Sequence, residues 1–210
     1  MARSQSDTAA ARMHSTSMPD ESQSDEQLLA GARDGDSVAF RALVERYEGK
    51  VAATVRGMLG NDSDADDVGQ ETFLLFHRSL SAFRGEAAIG TYVTRIAINQ
   101  CLKLLRKRKT WRERFFAREE ELFGRDEPSV DAERLYDERE RAGMVRTALQ
   151  TLGPDHRAVV VLRIMEGYST RETAELLGIP QGTVMSRLTR SLEKLGAMLG
   201  GEGGRLEARG

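Results

Sequence analysis

Residues 166–195 constrain the fold of this chain more than any other segment, because they read as two short helices joined by a tight turn. Ser169 and Glu172 have the three-residue spacing of a capping box, which opens a helix. Gly178 predicts the turn, and Pro180 suits the start of the next helix. The segment therefore predicts a helix-turn-helix unit.

The second helix of this unit has an apolar side and a polar side at the helical spacing of about 100° per residue. The apolar side holds Val184, Leu188, Leu192 and Leu195. The polar side holds Ser186, Thr189, Arg190 and Glu193. Such a polar face could reach base edges and phosphates in a DNA major groove, and the alternative is an ordinary helical hairpin with a solvated face.

Composition excludes several classes of protein. The 210 residues have room for one large or two small domains. There is no apolar run long enough to cross a bilayer and no apolar secretory signal region, so we expect no membrane insertion. A single cysteine, Cys101, excludes an internal disulfide framework and fits a reducing cytoplasm; we interpret it as a core residue, with a redox sensor as the alternative. Three scattered histidines offer no metal-ligand spacing, so neither a metal nor another cofactor is expected.

The formal net charge of −2 conceals a segregation of charge along the chain. Residues 62–71 are acidic, residues 103–114 are strongly basic, and residues 119–140 are mostly acidic again. Such blocks indicate separate electrostatic partners for separate surfaces.

Helical periodicity recurs along most of the chain, and the expected fold is all-α with two small helical domains joined by a flexible linker. The residues before 25 are polar and rich in serine, which predicts a disordered tail over 1–24. The first domain is predicted over 25–115 and the second over 134–199. A charged stretch with Gly124 and Pro128 predicts the linker over 116–133, and the glycine-rich end predicts a flexible tail over 200–210.

A long helix over 91–108 carries a basic face. Its apolar side holds Val93, Ile96, Ala97, Cys101 and Leu104, and the opposite side holds Arg95, Asn99, Leu102 and Arg106. Arginine neutralises phosphates and asparagine can hydrogen-bond a base, so this face indicates nucleic-acid binding. The alternative is a solvated helix end whose cations complement the helix dipole.

An acidic cluster precedes the helix that follows Gly60. Asp62, Asp64 and Asp66 match the start of a calcium loop, but Asp67 replaces the required glycine and Phe73 the bidentate glutamate. No histidine or serine motif accompanies the acids as a hydrolase would require. A helix-opening acidic cap, or a face that docks a basic partner, is the better interpretation.

Two segments carry a family resemblance. Region two of an extracytoplasmic-function (ECF) sigma factor, in the sigma-70 superfamily of RNA polymerase subunits, resembles DADDVGQETFLLFHRSLSAFRGEAAIGTYVTRIAINQCLKLLRKRK. Region four of the same family resembles LGPDHRAVVVLRIMEGYSTRETAELLGIPQGTVMSRLTRSLEKL. The resemblance implies a factor without enzymatic activity that binds core RNA polymerase and directs transcription initiation. Such a factor recognises the minus-ten and minus-thirty-five promoter elements and aids promoter melting, and an anti-sigma factor is its usual regulator.

The resemblance also implies roles for particular residues. The helix that docks the clamp coiled coil of the largest polymerase subunit would carry Asp66, Asp67, Gln70 and Glu71. The residues for the minus-ten element would be Phe83, Arg84, Gly85, Glu86 and Ala87 in a loop that holds a flipped base, with Arg95, Asn99 and Arg106 on the basic helix. The residues for the minus-thirty-five element would be Met185, Ser186, Arg187, Thr189 and Arg190. Met185 stands where the family usually has a lysine or arginine.

Two other functional classes are weighed against this interpretation. A stand-alone helix-turn-helix regulator would bind a palindromic operator as a dimer without polymerase. A metal-dependent hydrolase of nucleic acids would rest on the acidic cluster alone. The basic second face and the absence of a recognisable effector domain weigh against the regulator.

Overall fold

The computed structural model describes residues 23–60, 63–85, 87–115 and 135–206, with side chains described to residue 111 and again over 143–199. Most of the predicted N-terminal tail, the predicted linker and Glu86 lie outside these residues. Helices are the only regular structure in the described part, which confirms the all-α prediction. They are α1 (Asp25–Arg33), α2 (Ser37–Leu59), α3 (Asp64–Ser79), α4 (Ile89–Phe115), α5 (Leu135–Gln150), α6 (Pro154–Val160), α7 (Thr170–Leu177) and α8 (Gln181–Leu206). A π-helical segment, Val161–Met165, continues α6.

Local capping chemistry sets the bounds of the first helices. Ser24 and Gln27 form a reciprocal capping box at the start of α1. The side chain of Asp36 accepts a hydrogen bond of 2.8 Å from the backbone N–H of Val38 and so opens α2. α2 ends where Gly60 adopts a φ of 75°, a conformation that favours glycine.

Helix α2 lies at the centre of the first half and packs against α1, α3 and α4. Its buried side chains include Leu43, Val55 and Met58, which join Phe76 of α3 and Ile98 of α4 in one core. Cys101 is also fully buried in this core, as the sequence indicated. No helix in the described ranges is long and apolar enough to cross a membrane.

In the second half, α5, α6 and α7 each pack against α8. Pro154 stands at the start of α6, and residues 159–162 are helical as predicted, although the helix widens into the π-helical segment at Val161. Val159 and Val184 are fully buried in the core of this half, together with Leu149, Leu152 and Leu188. Helix α8 extends to Leu206, beyond residue 199, where we expected the tail to begin.

The two halves pack directly on one another. Val161, Leu162 and Tyr168 belong to the core of the first half, although they lie in the second half of the sequence. The hydroxyl of Tyr168 donates a buried hydrogen bond of 3.1 Å to the Thr94 hydroxyl on α4. Gly57 of α2 permits the close approach, because an added Cβ would lie 2.9 Å from a methyl group of Val161.

Arg157 is the buried cation of this contact, with only 5% of its surface exposed. Its guanidinium donates hydrogen bonds to the carbonyl of Met58 at the end of α2 and to the carbonyls of Gln150 and Leu152. Burial lowers the pKa of Arg157 to about 10, so the group remains charged at neutral pH. Hydrogen bonds to carbonyls offset the cost of burying that charge.

Two sequence predictions about helix faces were wrong. Leu102, predicted on the exposed face of α4, is only 7% exposed, because α4 also packs against α6 of the second half. Leu192, predicted on the buried side of α8, is 45% exposed. The neighbouring Ser191 is buried instead, and its hydroxyl oxygen lies 3.2 Å from Nδ1 of His156 on α6. At this turn the buried side of α8 therefore includes Ser191 in place of Leu192.

Candidate nucleic-acid interface

The helix-turn-helix unit consists of α7, its turn and the start of α8. The Ser169 hydroxyl accepts a hydrogen bond of 3.2 Å from the Glu172 N–H, and the Glu172 carboxylate accepts one of 2.8 Å from the Ser169 N–H, which confirms the predicted capping box. These hydrogen bonds lower the pKa of Glu172. Gly178 adopts the left-handed conformation with a φ of 63°, which turns the chain into α8.

The outer face of α8 is open to solvent. Met185, Ser186, Thr189 and Arg190 are exposed, and Arg187 is half-buried beside them. The hydroxyls of Ser186 and Thr189 donate to carbonyls of their own helix, at 3.2 Å and 3.1 Å. Their oxygens therefore remain available as acceptors, while Arg190 supplies donors. Such a face can contact base edges and phosphates in a major groove.

The loop after α3 is anchored at one end and exposed beyond it. Phe83 is only 7% exposed, and the centre of its ring lies 4.6 Å from that of Tyr92 on α4. Arg84, Gly85 and Ala87 are exposed, with Gly85 at a φ of 76°. Phe83 is thus an anchor of this loop, and the exposed residues after it are the ones placed to meet a ligand.

The basic face of α4 lies next to this loop. Arg95 and Asn99 are exposed one helical turn apart, and the Arg95 guanidinium lies 5.3 Å from the centre of the Tyr92 ring. Arg106, farther along α4, is exposed and lies 3.3 Å from the Asp155 carboxylate on α6. An ion pair this exposed contributes little stability, so it leaves Arg106 available to another anion.

A cavity of about 380 Å³ separates this basic face from the helix-turn-helix unit. One wall includes Arg84, Thr91 and Arg95 of the first half. Glu172 and Glu175 of α7 also line the cavity. Sequence reasoning missed the presence of α7 carboxylates beside the basic face of α4, because the two sets of residues lie in separate halves of the chain.

The acidic first turn of α3 forms a third surface. Asp66, Asp67 and Gln70 are exposed and Glu71 is half-buried, whereas the opposite side of α3 buries Phe76. Acidic residues at a helix N-terminus complement the helix dipole. The four residues thus form one contiguous, largely acidic surface on the outside of the first half.

Comparison with known proteins places both halves in one family. The family model "Sigma-70 region 2" matches residues 43–111, and the model "Sigma-70, region 4" matches residues 142–195. The ECF RNA polymerase sigma factor SigM of Mycobacterium tuberculosis (strain ATCC 25618 / H37Rv) is 34% identical over 84% of this chain and 85% of its own length. The chain belongs to the ECF sigma factors of the sigma-70 family. Sigma factors are not enzymes, and the stand-alone regulator is not favoured, because the matches cover both halves in the family's order.

Other relatives agree with this assignment. The ECF RNA polymerase sigma-E factor of Haemophilus influenzae (strain ATCC 51907 / DSM 11121 / KW20 / Rd) is 34% identical to this sigma factor over 81% of the chain and 93% of its own length. Among solved structures, CnrH in complex with the cytosolic domain of CnrY is 28% identical and superposes with a TM-score of 0.59. That match covers 83% of this chain and 96% of CnrH.

Proposed function

We propose that this sigma factor binds core RNA polymerase through the acidic surface of α3 and promoter DNA through two separate faces. In this proposal the minus-thirty-five duplex is contacted by Met185, Ser186, Arg187, Thr189 and Arg190 of α8. The unpaired minus-ten strand is contacted by the loop residues that follow the buried anchor Phe83, namely Arg84, Gly85, Glu86 and Ala87, and by Arg95, Asn99 and Arg106 of α4. The observation that supports this proposal is the presence of two exposed DNA-compatible faces, one in each family-matched half.

The two faces suit different forms of DNA. A helix in the major groove reads paired bases through hydrogen bonds to their edges. Unpaired bases instead bind exposed loops and pockets, and binding them stabilises the melted promoter. Attachment of both faces to one polymerase raises the effective concentration of each at its promoter element. The factor supplies recognition and strand capture, while the chemistry of RNA synthesis belongs to the polymerase, and the site of action is the cytoplasm.

An anti-sigma factor is the expected protein regulator. CnrH, whose fold this chain shares at 28% identity, is solved in complex with the cytosolic domain of CnrY. A regulator of that kind would compete with polymerase for surfaces of the two halves. Co-purification of the tagged factor with its binding proteins, followed by competition with core enzyme, tests this part of the proposal.

Charge reversal on α3 tests polymerase binding. Asp67→Arg combined with Glu71→Arg should abolish co-purification with core polymerase, because the exposed acidic surface would become basic. A matched control, Glu45→Arg with Glu48→Arg, reverses two exposed acids on α2 and should bind core enzyme normally. Circular dichroism of both variants checks that helicity is retained. Normal core binding by the α3 variant would exclude this docking surface.

Gel-shift assays test whether the factor binds promoter DNA by itself or only together with core polymerase. The purified factor alone should give little specific complex with promoter duplex at physiological salt, and a clear shift should appear once core enzyme is added. Specific nanomolar binding by a free dimer would instead support the stand-alone regulator.

A further inference from the structure

Arg33 connects the end of α1 to the loop that follows α3. It is the last residue of α1, whose other side is anchored in the core by Leu28, Leu29 and Ala32. Arg33 is exposed at the surface of the first half. It lies outside the segments of the sequence that carry the candidate DNA contacts. The position of Arg33 is therefore fixed by a helix that carries none of the candidate contact residues.

The guanidinium of Arg33 holds two backbone carbonyls at once. Its Nε donates a hydrogen bond of 3.0 Å to the carbonyl of Leu80, and one terminal nitrogen donates to the carbonyl of Phe83. Leu80 is the C-terminal cap of α3, so the cation also complements the dipole at that helix end. These contacts span 47 and 50 residues of sequence.

The restraint acts at the point where the chain leaves the core. The backbone N–H of Phe83 bonds the carbonyl of Ser79 at 3.0 Å, and the Phe83 ring packs on Tyr92. Immediately after Phe83 the chain becomes exposed at Arg84 and Gly85. Arg33 thus holds the last carbonyl before the exposed loop, and a shift of that carbonyl would displace the residues after it.

We propose that Arg33 is a positioning residue for the strand-binding loop over 83–87. This inference rests on the proposed function, because the loop is the candidate contact for the unpaired minus-ten strand. Arg33 acts through the backbone it holds and touches no DNA itself. Its planar guanidinium presents two parallel N–H donors in a fixed geometry, whereas a lysine ammonium is a compact charge on a flexible stem.

The test compares Arg33→Lys and Arg33→Gln with the native factor, each assembled with core polymerase. Binding is measured to a single-stranded oligonucleotide carrying the minus-ten element of a promoter that the native holoenzyme uses, and to the same strand with that element scrambled. Both variants should weaken binding of the matched strand by about tenfold, because a displaced loop would lose about one charge-assisted hydrogen bond of its own to the strand. They should also reduce the preference for the matched over the scrambled strand, while core affinity and thermal unfolding stay near native.

Two comparison variants make the result specific. Arg41→Gln removes an exposed arginine of α2 for which no hydrogen bond or ion pair is seen in the described residues, and it should leave strand binding unchanged. Arg84→Gln and Arg95→Gln alter the candidate contact residues and should weaken strand binding directly. If these two variants bind the strand normally, the proposed minus-ten face is wrong, and the inference about Arg33 falls with it.

Three other outcomes would overturn the positioning role alone. The first is native strand binding by Arg33→Gln while Arg84→Gln is impaired. The second is full retention of the matched-strand preference by Arg33→Lys, which would show that charge suffices. The third is an equal loss of affinity for the matched and scrambled strands. That result would indicate that Arg33 attracts the strand by its charge and does not position the loop.

Discussion

Arg157 and Met58 join the two halves of this sigma factor, since the buried guanidinium of one donates to the backbone carbonyl of the other across 99 residues of sequence. The Met58 carbonyl lies in the last turn of α2, where intrahelical acceptors lack partners of their own. One side chain therefore caps a helix of the first half while it orders the start of the second.

Replacement of Arg157 should destabilise the protein strongly. Arg157→Ala leaves the buried carbonyls of Met58, Gln150 and Leu152 without their donor, and we expect the free energy of unfolding to fall by about 2–4 kcal/mol. Arg106→Ala is the matched control, because it removes an arginine that also spans the halves but in an exposed ion pair, with an expected cost below about 1 kcal/mol. Urea denaturation followed by circular dichroism measures both; equal effects would contradict the described burial.

Two glycine-to-alanine substitutions should have opposite signs. Gly57→Ala places a Cβ at 2.9 Å from Val161 in the contact between the halves and should lower the free energy of unfolding by about 1–3 kcal/mol. Gly69→Ala in α3 meets no described atom within 4 Å and should raise it by about 0.5–1 kcal/mol, because alanine is the better helix former. Urea titrations of the two variants beside the native protein measure both changes. An unchanged free energy of unfolding for Gly57→Ala would mean that the halves do not pack as described.

The Cys101 thiol should report separation of the halves. Cys101 lies two helical turns after Thr94, on the side of α4 that meets Tyr168, and burial raises its pKa to about 12. Labelling by a thiol reagent near neutral pH should be at least about a hundredfold slower than in concentrated guanidinium chloride. Tyr168→Phe removes the hydrogen bond to Thr94 and should accelerate labelling by about three- to tenfold. Labelling at the denatured rate in the native protein would refute this packing.

The raised pKa of the Cys101 thiol predicts that the free energy of unfolding decreases at alkaline pH. The pKa of Cys101 is higher in the folded protein than the ordinary value of 9.0. The folded state therefore keeps the proton to higher pH than the unfolded chain does, and stability is unaffected below about pH 9 and falls above it. Cys101→Ala should remove this part of the alkaline decline in urea midpoints, although it also leaves a small cavity at every pH.

Arg190→Ala and Asn99→Ala should fail at different steps of initiation. Arg190 faces outward from α8, so its loss should weaken closed-complex formation and relax base preference by about 1–3 kcal/mol at one or two base pairs. Asn99 is exposed on the proposed strand-binding face of α4, so its loss should spare initial binding and impair opening. Permanganate footprinting on native and premelted promoters separates the two effects. A premelted bubble should rescue Asn99→Ala in part and Arg190→Ala not at all; equal rescue of both would mean the faces are misassigned.

The sequence predicted the helix-turn-helix in detail because its determinants are local. The Ser169 capping box and the left-handed Gly178 depend on chemistry within a few residues, and each is found as expected. The exposed positions of Ser186, Thr189 and Arg190 follow from helical periodicity alone.

Tertiary contacts set the limit of such prediction. Leu102 has the spacing of an exposed residue on an isolated α4, and it is buried because a helix from the other half covers it. Both hydrogen-bond partners of Arg33 and most of those of Arg157 are backbone carbonyls, and a carbonyl is present at every residue whatever its type. From sequence alone, a charged residue at a helix end is expected to face solvent. Only the tertiary structure shows which carbonyl accepts its hydrogen bond.

The contact between the halves, with its Tyr168–Thr94 hydrogen bond, also has a consequence for measured affinities. A partner that binds only when the halves are apart has a measured dissociation constant larger than its intrinsic one, by the reciprocal of the separated fraction. A substitution that weakens this contact by about 1.4 kcal/mol would then tighten binding about tenfold while changing no atom that the partner touches.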